Sequence, residues 1–379
     1  MKISTVHIIL FILALASATC SVSRMSNSAD TSLQTTPSLK RTFQNDFMIG
    51  AALNTQQIME RDTNASRLVA QQFNAVTPEN VMKAMIIHPQ WNTYNFEWAD
   101  KLIEYGKKNN LQINGHTLIW HSQMPAFARR LQSTDSFRLF FTDHITTVAS
   151  RYRDKVYSWD VVNEALNEDG TMRRSPFFTK LGEDYVTEAF RLTQAAAPNT
   201  QLYYNDYNNE RPAKRAGCIA LINKIKAAGV RIDGVGIQGH WQVGKVPLKD
   251  IEESILQYSA LGLKLAFTEL DIEVLPRNFQ GADVGQRMKA DPSLNPYTSG
   301  LPDDVQQQLA SDYEALFQLF LKHRDKIERV TFWGVNDGAS WLNDWPVRGR
   351  TNYPLLFDRA FNPKPAFYKV IATRKGVYQ

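Results

Sequence analysis

The chain has 379 residues, of which 43% are hydrophobic, and a formal charge of +5. That length suits one large domain or two ordinary ones. The Lys and Arg residues are dispersed, with no basic block of five or more, which argues against a nucleic-acid partner. Two cysteines, Cys20 and Cys218, argue against a disulfide framework, so an exported domain must rest on its core.

At the N-terminus, Lys2 is followed by VHIILFILALASA, and Ala16 and Ala18 form a small-residue cleavage pattern. Residues 1–18 therefore read as a secretory signal peptide. Cys20 leaves lipid attachment as an alternative to free secretion, although the preceding SAT fits that poorly. Residues 19–40 are rich in Ser and Thr and read as a spacer, with a catalytic domain over 41–379. No later segment holds the roughly 20 apolar residues of a membrane span.

Eight segments with strand character then follow: 47–54, 73–80, 111–120, 155–164, 200–208, 233–241, 264–274 and 329–337. Helical patterns lie between them. Phe137, Phe140, Phe141, Ile145, Val148 and Tyr152 fall at helical spacing, as do Cys218, Leu221, Ile222 and Ile225. The segment PDDVQQQLASDYEALFQLFLKHRDK opens on acids and ends on bases, as a helix dipole favours. NPKPAFYKVIATRKG supplies a final helix. Strands alternating with helices predict an α/β fold, a (β/α)8 TIM barrel in one catalytic domain. A doubly wound sheet would show a Gly-rich phosphate loop after its first strand, and the chain has none there.

In such a barrel the active site lies at the C-terminal ends of the strands. Those ends carry Glu79, Asn80 and Lys83; His116, Trp120, His121 and Gln123; Asn163 and Glu164; Asn205 and Tyr207; Gln238 and His240; Glu269 and Asp271; and Trp333 and Trp341. The opposite ends begin with solvated Lys, Arg, Gln or Asp. Two glutamates on different strands, Glu164 and Glu269, suit glycoside hydrolysis, which needs one protonated and one ionised carboxyl. His240 on the adjacent strand, held by Asp271, can help keep Glu269 ionised. Trp120, Trp333 and Trp341 can stack on sugar rings, whereas Trp98 and Trp159 read as core. A metal-dependent hydrolase would want paired ligands such as H-x-H on one strand, and that pattern is missing. A non-catalytic sugar-binding barrel would be expected to lack one glutamate or its partners.

The ordered set PENVMK, GHTLIWHSQMP, WDVVNEA, YYNDYN, GVGIQGHW, TELD and TFWGVNDGASW, spread over residues 43–379, resembles the family 10 glycoside hydrolases, the retaining endo-β-1,4-xylanases. The resemblance implies a (β/α)8 barrel enzyme that cuts internal β-1,4 bonds of xylan or xylo-oligosaccharides, and the signal peptide implies that it is secreted. It implies Glu164 as acid/base, Glu269 as nucleophile, and His240 and Asp271 as the nucleophile's support. Asn163 would meet the sugar 2-hydroxyl. Glu79, Asn80, Lys83, His116, Trp120, His121 and Gln123 would line glycone subsites, with Trp333 and Trp341 as aromatic walls. Asn205, Tyr207 and Gln238 join the substrate-binding set. A monomer without metal or cofactor is expected, with the two carboxyls about 5–5.5 Å apart. Residues 275–303 form a long loop after the nucleophile strand. It either shapes the leaving-group side or is a passive insertion.

Overall fold

A computed structural model describes residues 37–277 and 281–375. The expected signal peptide, Cys20 and most of the spacer lie outside those residues. Among the described residues nine strands run in chain order. They are β1 (Met48–Leu53), β2 (Ala75–Pro78), β3 (Gln112–Trp120), β4 (Ser158–Asn163), β5 (Gln201–Asp206), β6 (Gly234–Ile237), β7 (His240–Gln242), β8 (Lys264–Glu273) and β9 (Ile327–Phe332). The strand pairs are parallel. β1 joins both β2 and β9, and β6 joins β8, so eight strands close into a barrel. No helix of the described residues is long and apolar enough to cross a membrane.

The sequence explains the layers. Every residue of β4 is buried, and all but the first of β3 and β8, because the strands are covered outside by helices and inside by one another. The helix Thr134–Arg151 buries Phe137, Phe140, Phe141, Ile145 and Val148 as one stripe, and each such side chain stabilises by roughly 1.5–3 kcal/mol. Ser133 caps it, accepting from the Asp135 and Ser136 N–H groups. The helix Asp303–Lys322 carries Asp303 and Asp304 in its first turn and Lys322 in its last, as its sequence predicts. Cys218 is a buried thiol on Pro212–Ala227.

Two expectations change in detail. The domain does not wait for residue 41. A short helix, Leu39–Thr42, buries Leu39 in the core, and the Leu39 N–H donates to Gln72 Oε1 at 2.9 Å. A single Leu inside a Ser/Thr-rich run gave too little periodicity to signal this. The sixth strand is also broken. Gly239, at φ +82°, separates β6 from β7, and β7 continues alongside the far half of β8, with His240 opposite Asp271. Only a residue tolerant of positive φ makes that break cheaply. It leaves Gln238 between the two pieces, with its side chain reaching the site.

Below the site the barrel interior is polar. Asp160 accepts from Asn114 Nδ2 at 3.0 Å and lies 2.9 Å from His116 Nδ1. Ser158 donates to Asn114, and Arg329 Nη1 donates to Ser158 at 3.1 Å. Buried groups of this kind persist only when partnered, and the network fixes the His116 ring. Of the 275–303 loop, described residues Ala282, Val284 and Arg287 reach the C-terminal end of the barrel. Its Arg287 donates to the Asp344 carbonyl at 2.8 Å, its Met288 N–H to the Pro346 carbonyl at 3.1 Å, and its Asp283 faces Arg173 at 3.4 Å.

Candidate active site

The C-terminal strand ends surround a cavity of about 290 Å³. Its walls carry Glu79, Asn80, Lys83, His116, Trp120, Gln123, Asn163, Glu164, Gln238, His240, Glu269, Trp333 and Trp341, all expected from the sequence. Glu164, just after β4, and Glu269, within β8, are both buried, yet they keep different company.

Glu164 directly follows β4 at φ +58°, a left-handed conformation uncommon for a residue with a side chain. Its N–H donates to the Asn205 carbonyl at 2.9 Å, and the next N–H, of Ala165, donates to the Tyr204 hydroxyl at 3.1 Å. These bonds hold a turn that costs on the order of 1–3 kcal/mol, a kind of strain that concentrates at active sites. The carboxylate accepts from Trp120 Nε1 at 2.8 Å, Gln238 Nε2 at 3.1 Å and Asn163 Nδ2 at 3.2 Å. These donors are all neutral. Burial raises the Glu164 pKa, and the nearby Glu269 charge adds to the rise, while the bonds from Trp120 and Gln238 and the more distant Arg173 charge oppose it.

Glu269 meets a cation. Its Oε2 lies 3.4 Å from His240 Nε2, and His240 Nδ1 lies 2.9 Å from Asp271 Oδ1. Burial works against the His240 cation, but Asp271 and then Glu269 together more than offset it, and the imidazole pKa rises to about 10. The other Asp271 oxygen accepts from Trp341 Nε1 at 2.8 Å, so the aromatic wall locks the acid that holds the histidine. Burial also pushes the Glu269 pKa up. The bond from His240, with the charges of His116, His240 and Lys83, outweighs it and leaves the group below the ordinary glutamate value.

An amide chain joins the two carboxyls. Asn205 Nδ2 donates to Glu269 Oε1 at 2.9 Å and to Asn163 Oδ1 at 2.9 Å, and Gln238 Nε2 reaches both Asn163 Oδ1 at 3.3 Å and Glu164. Thr268 Oγ1 donates to Asn205 Oδ1 at 2.6 Å, which sets the amide's orientation. Gly236 makes room for it, since a Cβ there would sit 2.2 Å from Asn205 Oδ1. Lys83 Nζ donates to Asn80 Oδ1 at 3.2 Å and lies 4.7 Å above the Trp120 ring. Burial lowers the Lys83 pKa and raises that of Glu79.

Three expected substrate contacts do not line the cavity. Asn205 lies behind the glutamates and orients them. Tyr207 is buried, accepts from Arg173 Nη2 at 2.8 Å and has Lys214 Nζ 3.7 Å from its ring centre. His121 packs edge-on to Trp120 at 6.3 Å, and burial lowers its pKa to about 4. Asn336 and Asp337, also at a strand end, serve the fold. Asn336 caps a short 3-10 turn, and Asp337 pairs with the buried Lys364 at 2.9 Å. Conversely, sequence reasoning missed Ala282, Val284, Arg287, Asp344 and Trp345 in the cavity wall. The Trp341–Trp345 spacing carried a signal, because the two rings stack at 4.6 Å. Nothing local marked Ala282 or Val284; their place depends on how the long loop folds.

Paired, oppositely biased carboxyls among aromatic walls suit acid/base and nucleophilic work on a glycoside. Comparison with known proteins agrees. The model of glycosyl hydrolase family 10 matches residues 38–373. Endo-1,4-beta-xylanase A of Xylanibacter ruminicola is 41% identical over 345 residues, covering 89% of this chain and 94% of that protein. A beta-1,4-xylanase of Dictyoglomus thermophilum is 37% identical over 88% of this chain and 90% of its own length. A solved structure described as a novel GH10 endoxylanase retrieved from sugarcane soil metagenome superposes with a TM-score of 0.85 at 42% identity, covering 88% of this chain and 99% of that one. On its sequence and its barrel, the chain belongs to glycosyl hydrolase family 10.

Proposed function

We propose that the protein is a secreted endo-1,4-β-xylanase that cleaves internal β-1,4-xylosidic bonds with retention of anomeric configuration. The observation that carries this reading is the opposite bias of two buried carboxyls: Glu164 is pushed toward its acid form and Glu269 toward its carboxylate. In the first step Glu164 donates its proton to the glycosidic oxygen while the Glu269 carboxylate attacks the anomeric carbon. The leaving chain departs with that proton, and a glycosyl ester forms on Glu269. In the second step Glu164, now a carboxylate, takes a proton from water as that water attacks the same carbon and frees Glu269. Two inversions give retention.

The supporting residues divide by what they touch. Asn163, with its Oδ1 held by Asn205 and Gln238, faces the sugar 2-hydroxyl. Glu79, Asn80, Lys83, His116 and Gln123 offer hydroxyl contacts on the glycone side. Trp333 packs edge-on to His116 at 5.3 Å and, with Trp341, offers flat faces to the ring being cleaved. A monomer is the proposed working unit. The two homologues named above are xylanases by name, which supports xylan over cellulose or mannan.

The test is reducing-sugar release from xylan, carboxymethylcellulose and mannan by wild type and Glu269→Ala side by side. Strong release from xylan, lost in the variant, is the expected result. Preferential release from cellulose or mannan would keep the mechanism and overturn the substrate. Activity surviving Glu269→Ala would overturn the site.

A further inference from the structure

One feature outside the catalytic cleft shares its chemistry. Among the described residues six large hydrophobic side chains are exposed, and two of them line one cavity. Trp91 and Leu139, 38% and 59% exposed, line a second cavity of about 180 Å³, and Met85 lies on the short helix leading to it. His88, Asn92, Phe140 and Asp143 complete the lining. The Trp91 ring is braced edge-on by Phe127 at 5.8 Å and 89°, so an indole is held at the surface. His88 forms part of the floor. Its side chain is 1% exposed and stacks on Tyr94 at 4.0 Å, yet neither ring nitrogen has a hydrogen-bond partner. Buried polar nitrogens are rarely left so. Burial lowers its pKa to about 4, so at neutral pH the ring is uncharged. Asp143 accepts from the Tyr94 hydroxyl at 2.7 Å and keeps further acceptor capacity.

The cavity adjoins the cleft. Lys83, in the cleft wall, immediately precedes the helix Ala84–Ile87, and His88 immediately follows it. Four helical residues span about 6 Å. Within that helix the Met85 N–H donates to the carbonyl of Gln123, another cleft residue, at 3.2 Å. One wall therefore separates the two cavities.

We propose that the Trp91 cavity is an auxiliary carbohydrate-binding site that holds a pyranose unit of the polymeric substrate outside the catalytic cleft. The indole face stacks on the C–H face of a sugar ring, while Asn92 and Asp143 meet its hydroxyls and the buried His88 supports the floor beneath them. Engaging one chain at two points raises its effective concentration at the cleft without changing the chemistry there. The occupant follows from position and composition: a flat aromatic beside neutral and acidic hydrogen-bonding groups, on the rim of a cleft proposed to work on a sugar polymer. The proposal rests on that xylanase reading.

The test uses the full chain. In a Glu269→Gln background, retention on insoluble xylan is compared with and without Trp91→Ala or Leu139→Ala. In the active enzyme, kcat/KM is compared on polymeric xylan and on the short substrate xylotetraose. Trp91→Ala should weaken retention about fivefold, equivalent to roughly 1 kcal/mol, and lower kcat/KM on the polymer by a similar factor. Xylotetraose turnover should stay within about twofold, and Leu139→Ala should act in the same direction more weakly. Unchanged retention and polymer turnover in both variants, with the wild type still hydrolysing xylan, would overturn the auxiliary site and leave the enzyme reading intact. Equal loss on xylotetraose and polymer would overturn it by reducing the patch to a support of the cleft wall. A wild-type dimer that Trp91→Ala dissociates, with retention unchanged, would assign the face to a second copy instead.

Discussion

β4 and β8 bring the same residue type, Glu164 and Glu269, to the cleft at similar depth, and the structure treats them oppositely. Glu164 accepts from an indole and two amides, all neutral, while Glu269 lies against a histidinium held by Asp271. Burial alone would raise both pKa values; a cation beside one carboxyl and not the other separates them. The difference teaches that the acid and the nucleophile are assigned by neighbours one or two residues along adjacent strands. His240 comes from the short strand after the Gly239 break, and Trp120 from the end of β3.

The largest expected effect removes either carboxyl. Glu269→Gln should lower kcat/KM by on the order of 10⁴-fold or more, because the attacking group is gone. Glu164→Gln should cost about 10²–10⁴-fold, the usual worth of a positioned general acid, and less on substrates with a good leaving group. Initial rates on xylan and on an aryl glycoside separate the two cases.

Next in size is the cation. Wild-type kcat/KM should trace a bell against pH. Its acid limb reports ionisation of Glu269, set low by His240, and its alkaline limb reports loss of the Glu164 proton, set high by burial. His240→Asn removes the charge that lowers the Glu269 pKa. More acid-form Glu269 then persists at a given pH, so the acid limb should move to higher pH while the alkaline limb stays. An acid limb that did not move would show that the histidine does not bias the nucleophile.

A smaller effect should follow Gly236→Ala. The added methyl would meet Asn205 Oδ1 and the Thr268 side chain, pushing aside the amide between the glutamates. Overpacking of this kind costs about 1–3 kcal/mol of stability, and turnover should fall roughly tenfold. Denaturant melts and steady-state rates check both. The smallest expected change is Arg287→Ala on the long loop, a few-fold rise in KM for xylan with kcat unchanged, since Arg287 lines the cavity and donates to the Asp344 carbonyl rather than to either glutamate. No change in KM would return the loop to a passive insertion.

The sequence made the barrel legible because its strands are short apolar runs that each stop on polar residues. That asymmetry also exposed Glu164, Glu269, His240 and Asp271, whose roles depend on strand position. It was less informative where roles depend on side-chain direction. Asn205 and Tyr207 end the same strand, but Asn205 turns toward the glutamates and Tyr207 toward Arg173. No spacing rule separates those outcomes. Leu39 was masked by its Ser/Thr-rich surroundings, and Ala282 and Val284 by a loop that lacks periodicity and reaches the cleft through contacts distant in sequence.

The central claim is that the two glutamates hold opposite protonation states near neutral pH. The most direct measurement is a carbon-13 NMR titration of carboxyl-labelled glutamates, assigned with Glu164→Gln and Glu269→Gln. The account predicts one resonance titrating above the ordinary glutamate range, absent from the Glu164→Gln spectrum, and one titrating below it, absent from the Glu269→Gln spectrum. Glu269 titrating above Glu164, or both within the ordinary range, would contradict it.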